Sequence, residues 1–205
     1  DPTILIYGEG WTAGSSPLPD EEKALKANVS SLDTGIGAFS DDIRDGIKGS
    51  VFESMEQGFV NGKAGMEEII KFGVVASTEH RQIDYDLVNY SDTWWAKEPT
   101  QTITYASAHD NYTLWDKLAI SNETDSEEDR IKMNLLSGAI VLTSQGIPFF
   151  QAGEEFLRSK PSVDGTSFVD NSYNSPDSVN SLKWDTLSKN QEVFNYYKGL
   201  IAFRI

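Results

Sequence analysis

SEEDRIKMNLLSGAIVLTSQGIPFF, residues 126–150, changes its period near its end. Ser126 and Asp129 have the spacing of a capping box. Ile131, Leu135, Ala139 and Leu142 then recur on one helical face, and Gly146 stops the pattern. IPFF follows at once as a short apolar strand, with Pro148 near its start, where a missing N–H is tolerated. A capped helix that hands over directly to an apolar strand is the repeating unit of a parallel α/β protein.

Working outward, the same alternation recurs. Thr3–Tyr7 reads as a strand ended by Gly8, Ile36–Phe39 as a second one followed by the polar SDDIRDGIKG, and Gln101–Ala106 (QTITYA) as a third. Met66, Ile69, Ile70 and Val74 share a helical face, and Val193, Phe194, Tyr197, Leu200 and Ile201 mark a last helix. Residues 8–35, 79–100 and 151–190 are polar, rich in Gly, Pro, Ser, Asn and Asp, and threaded with aromatics, which makes them elaborate loops. The fold class is α/β with helical crossovers, and a doubly wound sheet or a (β/α)8 barrel accommodates it. A whole barrel takes about 250 residues, so four βα units are half of one.

Composition narrows the function. The 205 residues allow one domain with a sizeable core, and 39% apolar and 11% aromatic content fits a globular chain. A net charge of −15 argues against nucleic acid and against anionic membrane surfaces, which need clustered Lys and Arg. There is no cysteine, so disulfide and thiolate chemistry are absent. No apolar run approaches the roughly 18 residues of a membrane span. The chain starts at Asp1 without methionine and stops inside the helical VFNYYKGLIAFRI, so residues 1–205 read as a piece of a longer protein.

Ionisable groups stand at two strand ends. Glu9 follows the first strand in YGEGW, and His109–Asp110 follow the third in YASAHDNY. Parallel α/β folds bind ligands at the carboxyl ends of their strands, so these groups are candidates for one site. Paired carboxyl groups suit acid/base work on a glycosidic bond, one holding a proton and the other charged. Glycines beside Glu9 admit substrate, and Trp11 offers a flat face for a sugar ring. The plainer reading makes Glu9 and Asp110 helix caps and His109 a satisfied polar residue. Asp84–Asp86 (DYD) and the Asp41–Asp42 pair are calcium candidates, although acidic loop pairs are commonly solvated or capping. Gly153–Glu155 (GEE) reads as charge at a helix start. Two histidines and no cysteine argue against zinc, and neither a dinucleotide loop nor a P-loop occurs.

YGEGW, YASAHDN, GIPFFQAGEEFLRSK and NSYNSPDSVNSLKW, in that order, resemble type I pullulanase, a debranching member of the α-amylase superfamily of glycoside hydrolases. The resemblance covers nearly the whole chain. It implies the C-terminal half of a (β/α)8 barrel, roughly strands five to eight with their helices and long βα loops. It implies Glu9 as general acid/base after the fifth strand and Asp110, after the seventh, as the carboxylate that binds hydroxyls of the attacked ring and stabilises the transition state. His109 is implied as a contact to that ring, Trp11 as a stacking surface on the leaving-group side, and the loop from Asn174 to Asp177 as a wall of the glycone subsites. The implied substrate is an α-glucan polysaccharide such as pullulan, amylopectin or limit dextrin, with α-1,6 linkages cut by a retaining double displacement. No cofactor is required and calcium is compatible. An extracellular or cell-surface bacterial location is favoured.

The chain departs from that family in two motifs. The nucleophile there is an aspartate in a motif of the FRFDL kind after the fourth strand, and no such motif occurs in these residues, nor does the histidine motif after the third. A retaining pair stands about 5 to 5.5 Å apart, and this chain supplies one member. By itself it is expected to be inactive and to need the N-terminal half of its barrel. Unpaired strand edges would leave it marginal, aggregating or dimeric. Three other readings stay open: another superfamily specificity (α-1,4 cleavage or glucan transfer), a non-catalytic α-glucan-binding module, and an inverting Glu9–Asp110 pair.

Overall fold

The computed structural model describes residues 4–12 and 14–205. Four parallel strands, β1 (Ile6–Gly8), β2 (Ile36–Phe39), β3 (Thr102–Thr104) and β4 (Ile147–Pro148), form one sheet in the order β1-β2-β3-β4. The order follows the chain without the reversal that marks a doubly wound sheet. Register pairs Ile6 with Ile36, Ala38 with Thr102, and Ile103 with Ile147. Of the expected strand Thr3–Tyr7, Thr3 lies outside the described residues. The strand continues through Gly8.

The helices are α1 (Asp41–Lys48) and α2 (Glu67–Val74) between β2 and β3, and α3 (Leu114–Ser121) and α4 (Glu127–Thr143) between β3 and β4. After β4 come α5 (Asp177–Asn180), α6 (Trp184–Lys189) and α7 (Gln191–Arg204). Between β1 and β2 the chain makes two 3-10 turns, Asp20–Glu22 and Lys26–Ser31. α4 starts as its sequence requires: Ser126 Oγ accepts from Asp129 N–H at 3.1 Å, and its hydroxyl donates to Asp129 Oδ2 at 2.7 Å.

Period-two alternation gives the sheet two different faces. Ala38 and Ala106 look toward the helices. Ala106 packs with Ile43, Ile47, Leu114, Leu118 and Val141, and Ala38 packs with Phe72 and Trp95. Gly73 and Gly138 let helices approach closely: a Cβ at Gly73 would lie 2.2 Å from Ile43, and one at Gly138 2.5 Å from the Tyr197 ring. The opposite face carries aromatics in edge-to-face contact, Tyr7 with Phe39 at 5.7 Å, Phe39 with Tyr105 at 4.9 Å and Phe39 with Phe149 at 5.3 Å. Tyr7 is 49% exposed on that face, and Ile4 and Ile6 are 61% and 59% exposed at the β1 edge.

SDDIRDGIKG, read above only as a polar segment, contains α1. It buries four charges, Asp42, Arg44, Asp45 and Lys48. Asp45 accepts from Arg44 and, at 2.7 Å, from the Tyr90 hydroxyl, while Arg44 Nη1 donates to the Tyr105 hydroxyl at 3.2 Å. Asp42 accepts from Lys26 Nζ, from Ser91 Oγ at 2.9 Å and from Tyr90 N–H at 3.2 Å.

Candidate active site

A cleft of about 670 Å³ opens at the carboxyl ends of the strands, with Glu9, His109, Asp110 and Phe149 among its lining residues. A second cavity of about 260 Å³ shares those four and adds Trp11 and Tyr105. Four of the residues singled out from sequence, Glu9, Trp11, His109 and Asp110, thus meet at one place. The aromatic face of the sheet forms the floor beneath them.

Each is held by local backbone. Glu9 is exposed, one residue beyond β1. The next residue is pinned: Gly10 O accepts from Lys26 N–H at 2.6 Å, and a Cβ at Gly10 would fall 2.8 Å from that nitrogen. Glu9 therefore projects from a fixed point while its side chain stays open to solvent. Past β3, Ala106, Ser107 and Ala108 are buried before the chain surfaces at His109 and Asp110, whose side chains are 85% and 44% exposed. His109 Nδ1 lies 3.5 Å from Asp110 Oδ1. Asn111 then takes a left-handed turn (φ +58°), a conformation that asparagine tolerates better than most residues. Thr113 caps α3 by accepting from Asp116 N–H at 3.1 Å.

The far wall is built from the loop after β4. Asn174 and Asp177 are exposed, and neither lines the cleft. Asn171, Ser172, Tyr173 and Asn180 do, together with Arg158 and Lys160. Lys160 Nζ donates to Ser172 Oγ at 2.8 Å, and Ser172 Oγ donates to Asn180 Oδ1 at 2.8 Å. Lys160 N–H donates to Asp116 Oδ2 at 2.8 Å, which ties this wall to the base of the His109–Asp110 loop. Arg158 and Lys160 belong to the GEEFLRSK stretch already quoted. What marked them in sequence was two cations following a strand end in an acidic chain.

Glu154, read from sequence only as charge at a helix start, has a second role that the sequence did not show. It lies in a 3-10 turn, Glu154–Phe156, entered through Gly153 in the left-handed region (φ +97°). The turn buries its carboxyl group, which accepts from Ser107 Oγ at 2.6 Å and from the Tyr197 hydroxyl at 3.0 Å. Burial pushes this carboxyl up to about 7, and Glu155 adds to the rise, against the lowering pull of both hydrogen bonds and of Lys48. A carboxyl raised on folding contributes stability that is full below its unfolded value of about 4.5 and lost as pH climbs through 7. At 1.36 kcal/mol per pKa unit the loss is about 3 kcal/mol. Wild type should therefore lose about that much stability relative to Glu154→Gln between pH 4.5 and 7.5, read as the shift in urea midpoints. A constant difference across that range would contradict this. Lys48, pushed down to about 8 by burial, acts with the opposite sign in a higher window, its contribution falling as pH drops from 10.5 through 8.

Some oxygens of the calcium candidates meet protein groups. Asp84 Oδ1 accepts from Asp86 N–H at 3.2 Å, and Asp41 and Asp42 pair with Lys26. Among the described residues, no three His, Asp or Glu side chains come together as a ligand set.

No protein-family profile matches the chain. The pullulanase of Bacillus subtilis strain 168 is 35% identical over 203 residues, which are 99% of this chain and 26% of that protein. The solved pullulanase of Bacillus acidopullulyticus superposes with a TM-score of 0.86 at 42% identity, over 100% of this chain and 22% of that one. Pullulanase from Paenibacillus barengoltzii, solved in complex with maltohexaose and α-cyclodextrin, gives 0.86 at 43% identity, over 100% of this chain and 29% of that one. The chain thus spans about a quarter of the length of the relatives it matches. From end to end, over that one region, it is homologous to pullulanase.

Proposed function

We propose that residues 1–205 are the C-terminal half of a (β/α)8 catalytic barrel, roughly its strands five to eight. The parent glycoside hydrolase would cleave α-1,6 branch linkages in pullulan, starch or glycogen-type α-glucans with retention. The observation that carries this is the convergence of Glu9, His109 and Asp110 on one cleft above an aromatic floor, at the carboxyl ends of β1 and β3 in one parallel sheet. The unreversed strand order and the open aromatic face suit an arc of barrel. The similarity to pullulanases, one of them solved with maltohexaose bound, supports the substrate class.

In this reading Glu9 gives its proton to the glycosidic oxygen as a carboxylate from the other half of the barrel attacks the anomeric carbon. The bond to the leaving sugar breaks, and a glycosyl ester forms. Glu9, now ionised, takes a proton from water, which opens the ester. Asp110 and His109 hold hydroxyls of the ring under attack, and Trp11 stacks on the departing side. The loop bearing Asn174 and Asp177 frames the glycone side through its neighbours Asn171–Tyr173. The chemistry runs on carboxyl groups and calls for no cofactor.

The 205-residue chain alone should release no reducing ends from pullulan, and a longer protein that supplies the upstream strands should do so. Turnover by the chain alone, abolished by Glu9→Gln, would overturn the missing-nucleophile reading and make Asp110 the second carboxylate. Glucan binding without hydrolysis by the longer protein would favour a binding module instead. Cleavage of linear amylose in preference to pullulan would move the specificity to α-1,4 bonds.

A further inference from the structure

Glu154 is buried beside the cleft without lining it, and nothing in the chemistry above uses it. Its two carboxylate oxygens have different tasks. Oε1 accepts from the Tyr197 hydroxyl of α7 at 3.0 Å, and that hydroxyl also accepts from Asn134 Nδ2 of α4 at 3.2 Å. Oε2 accepts from Ser107 Oγ at 2.6 Å. Ser107 is 1% exposed and is the last polar anchor before the chain emerges at His109 and Asp110. Beyond Asp110 the backbone turns at Asn111 and is next fixed at the Thr113 cap. The exposed pair thus hangs between two fixed points. The one on the β3 side is a hydroxyl held by a carboxyl group from the loop after β4.

We propose that Glu154 is a positioning residue, which through Ser107 fixes the loop carrying His109 and Asp110 and so sets where the ring under attack is held. The inference rests on the reading of the cleft as a glycosidase site. It concerns geometry, since Glu154 is placed away from the substrate. Misplacement of a positioning group by about 1 Å costs on the order of 10²-fold in rate, so a loosened loop should appear in kcat before it appears in KM.

The test uses the full-length protein that carries these residues, assayed on pullulan. Wild-type turnover, and its loss in Glu9→Gln, first settles whether the cleft is a glycosidase site at all; inactivity at that stage defeats the reading and the inference with it. Given turnover, Ser107→Ala and Glu154→Leu should each lower kcat about 10- to 100-fold with KM moved far less, and combined they should do no worse than the larger single effect. Glu154→Gln should recover most of the loss, because its amide oxygen still accepts from Ser107 and its nitrogen donates to the Tyr197 oxygen. In an Asp110→Asn background, Glu154→Leu should add little. Faster amide exchange over residues 107–111 in Ser107→Ala would report the loosened loop independently of activity. If Glu154→Leu fails to fold, Ser107→Ala, which removes one hydroxyl, carries the test alone. A kcat within about twofold of wild type in Ser107→Ala, or a full extra loss from Glu154→Leu in the Asp110→Asn background, overturns the proposal.

Discussion

Glu9→Gln in the full-length protein should lower kcat on pullulan by about 10²- to 10⁴-fold, the usual contribution of a general acid/base. Melting temperature should stay unchanged, because the Glu9 side chain is exposed and the backbone after it is held by the Gly10–Lys26 hydrogen bond. Glutamine keeps the size and polarity of the group and removes only the transferable proton. The diagnostic measurement is therefore the dependence on the leaving group. An α-maltooligosyl fluoride releases fluoride, which needs little protonation, so the variant's first step on that substrate should be far less impaired than on pullulan. An equal loss on both substrates would mean that Glu9 binds or attacks and does not donate a proton. The result also separates Glu9 from the plainer reading as a helix cap, since a cap would reveal itself in stability and leave chemistry untouched.

Much of the fold was legible because its signals were local. The Ser126 cap, the stripe of α4 and the apolar face of α7 each lie within one helix, and Ile36–Phe39 is bounded as its sequence suggests. Hidden elements were those whose burial depends on distant partners. α1 has two fully buried isoleucines, Ile43 and Ile47, among four buried charges, so its period looks polar until Tyr90, Tyr105 and Lys26 are brought against it. α3 buries Asp116 and Lys117 beside Leu114 and Leu118. Lys117 Nζ is satisfied by the carbonyls of Ser50, Glu53 and Ser54, at 3.0, 2.6 and 2.9 Å, far away in sequence.

The cleft divides in the same way. Glu9, His109 and Asp110 stood out because polar groups at strand ends have a meaning in parallel sheets that needs no knowledge of neighbours. Glu154 gave no such sign. Its partners Ser107 and Tyr197 lie 47 and 43 residues off, and a glutamate after glycine reads as a helix start until both are in place. In the loop expected to frame the glycone side, Asn171–Tyr173 line the cleft, and Ser172 among them is held by Lys160 and Asn180.

Asp110→Asn carries the second large expected effect, a fall in kcat of about 10²- to 10³-fold on pullulan with KM nearly unchanged, the size seen when one preorganised electrostatic contact to a transition state is removed. Asparagine keeps the shape, loses the charge and replaces one acceptor by a donor. In the proposed role, hydrogen bonds from the ring hydroxyls to Asp110 would strengthen as positive charge develops on the sugar, so a neutral amide would cost more in the transition state than in the bound ground state. The fold should not register the change: the Asp110 side chain is 44% exposed, and the neighbouring His109, 3.5 Å away, is still more exposed. Kinetics therefore separate the two roles the cleft could have. If these residues served only to hold a sugar, Asp110→Asn would weaken glucan binding with no chemistry to slow. A rise in KM at constant kcat would place Asp110 in uniform binding and shift transition-state stabilisation to groups outside this chain. A fall in kcat alone ties Asp110 to the ring in the act of cleavage.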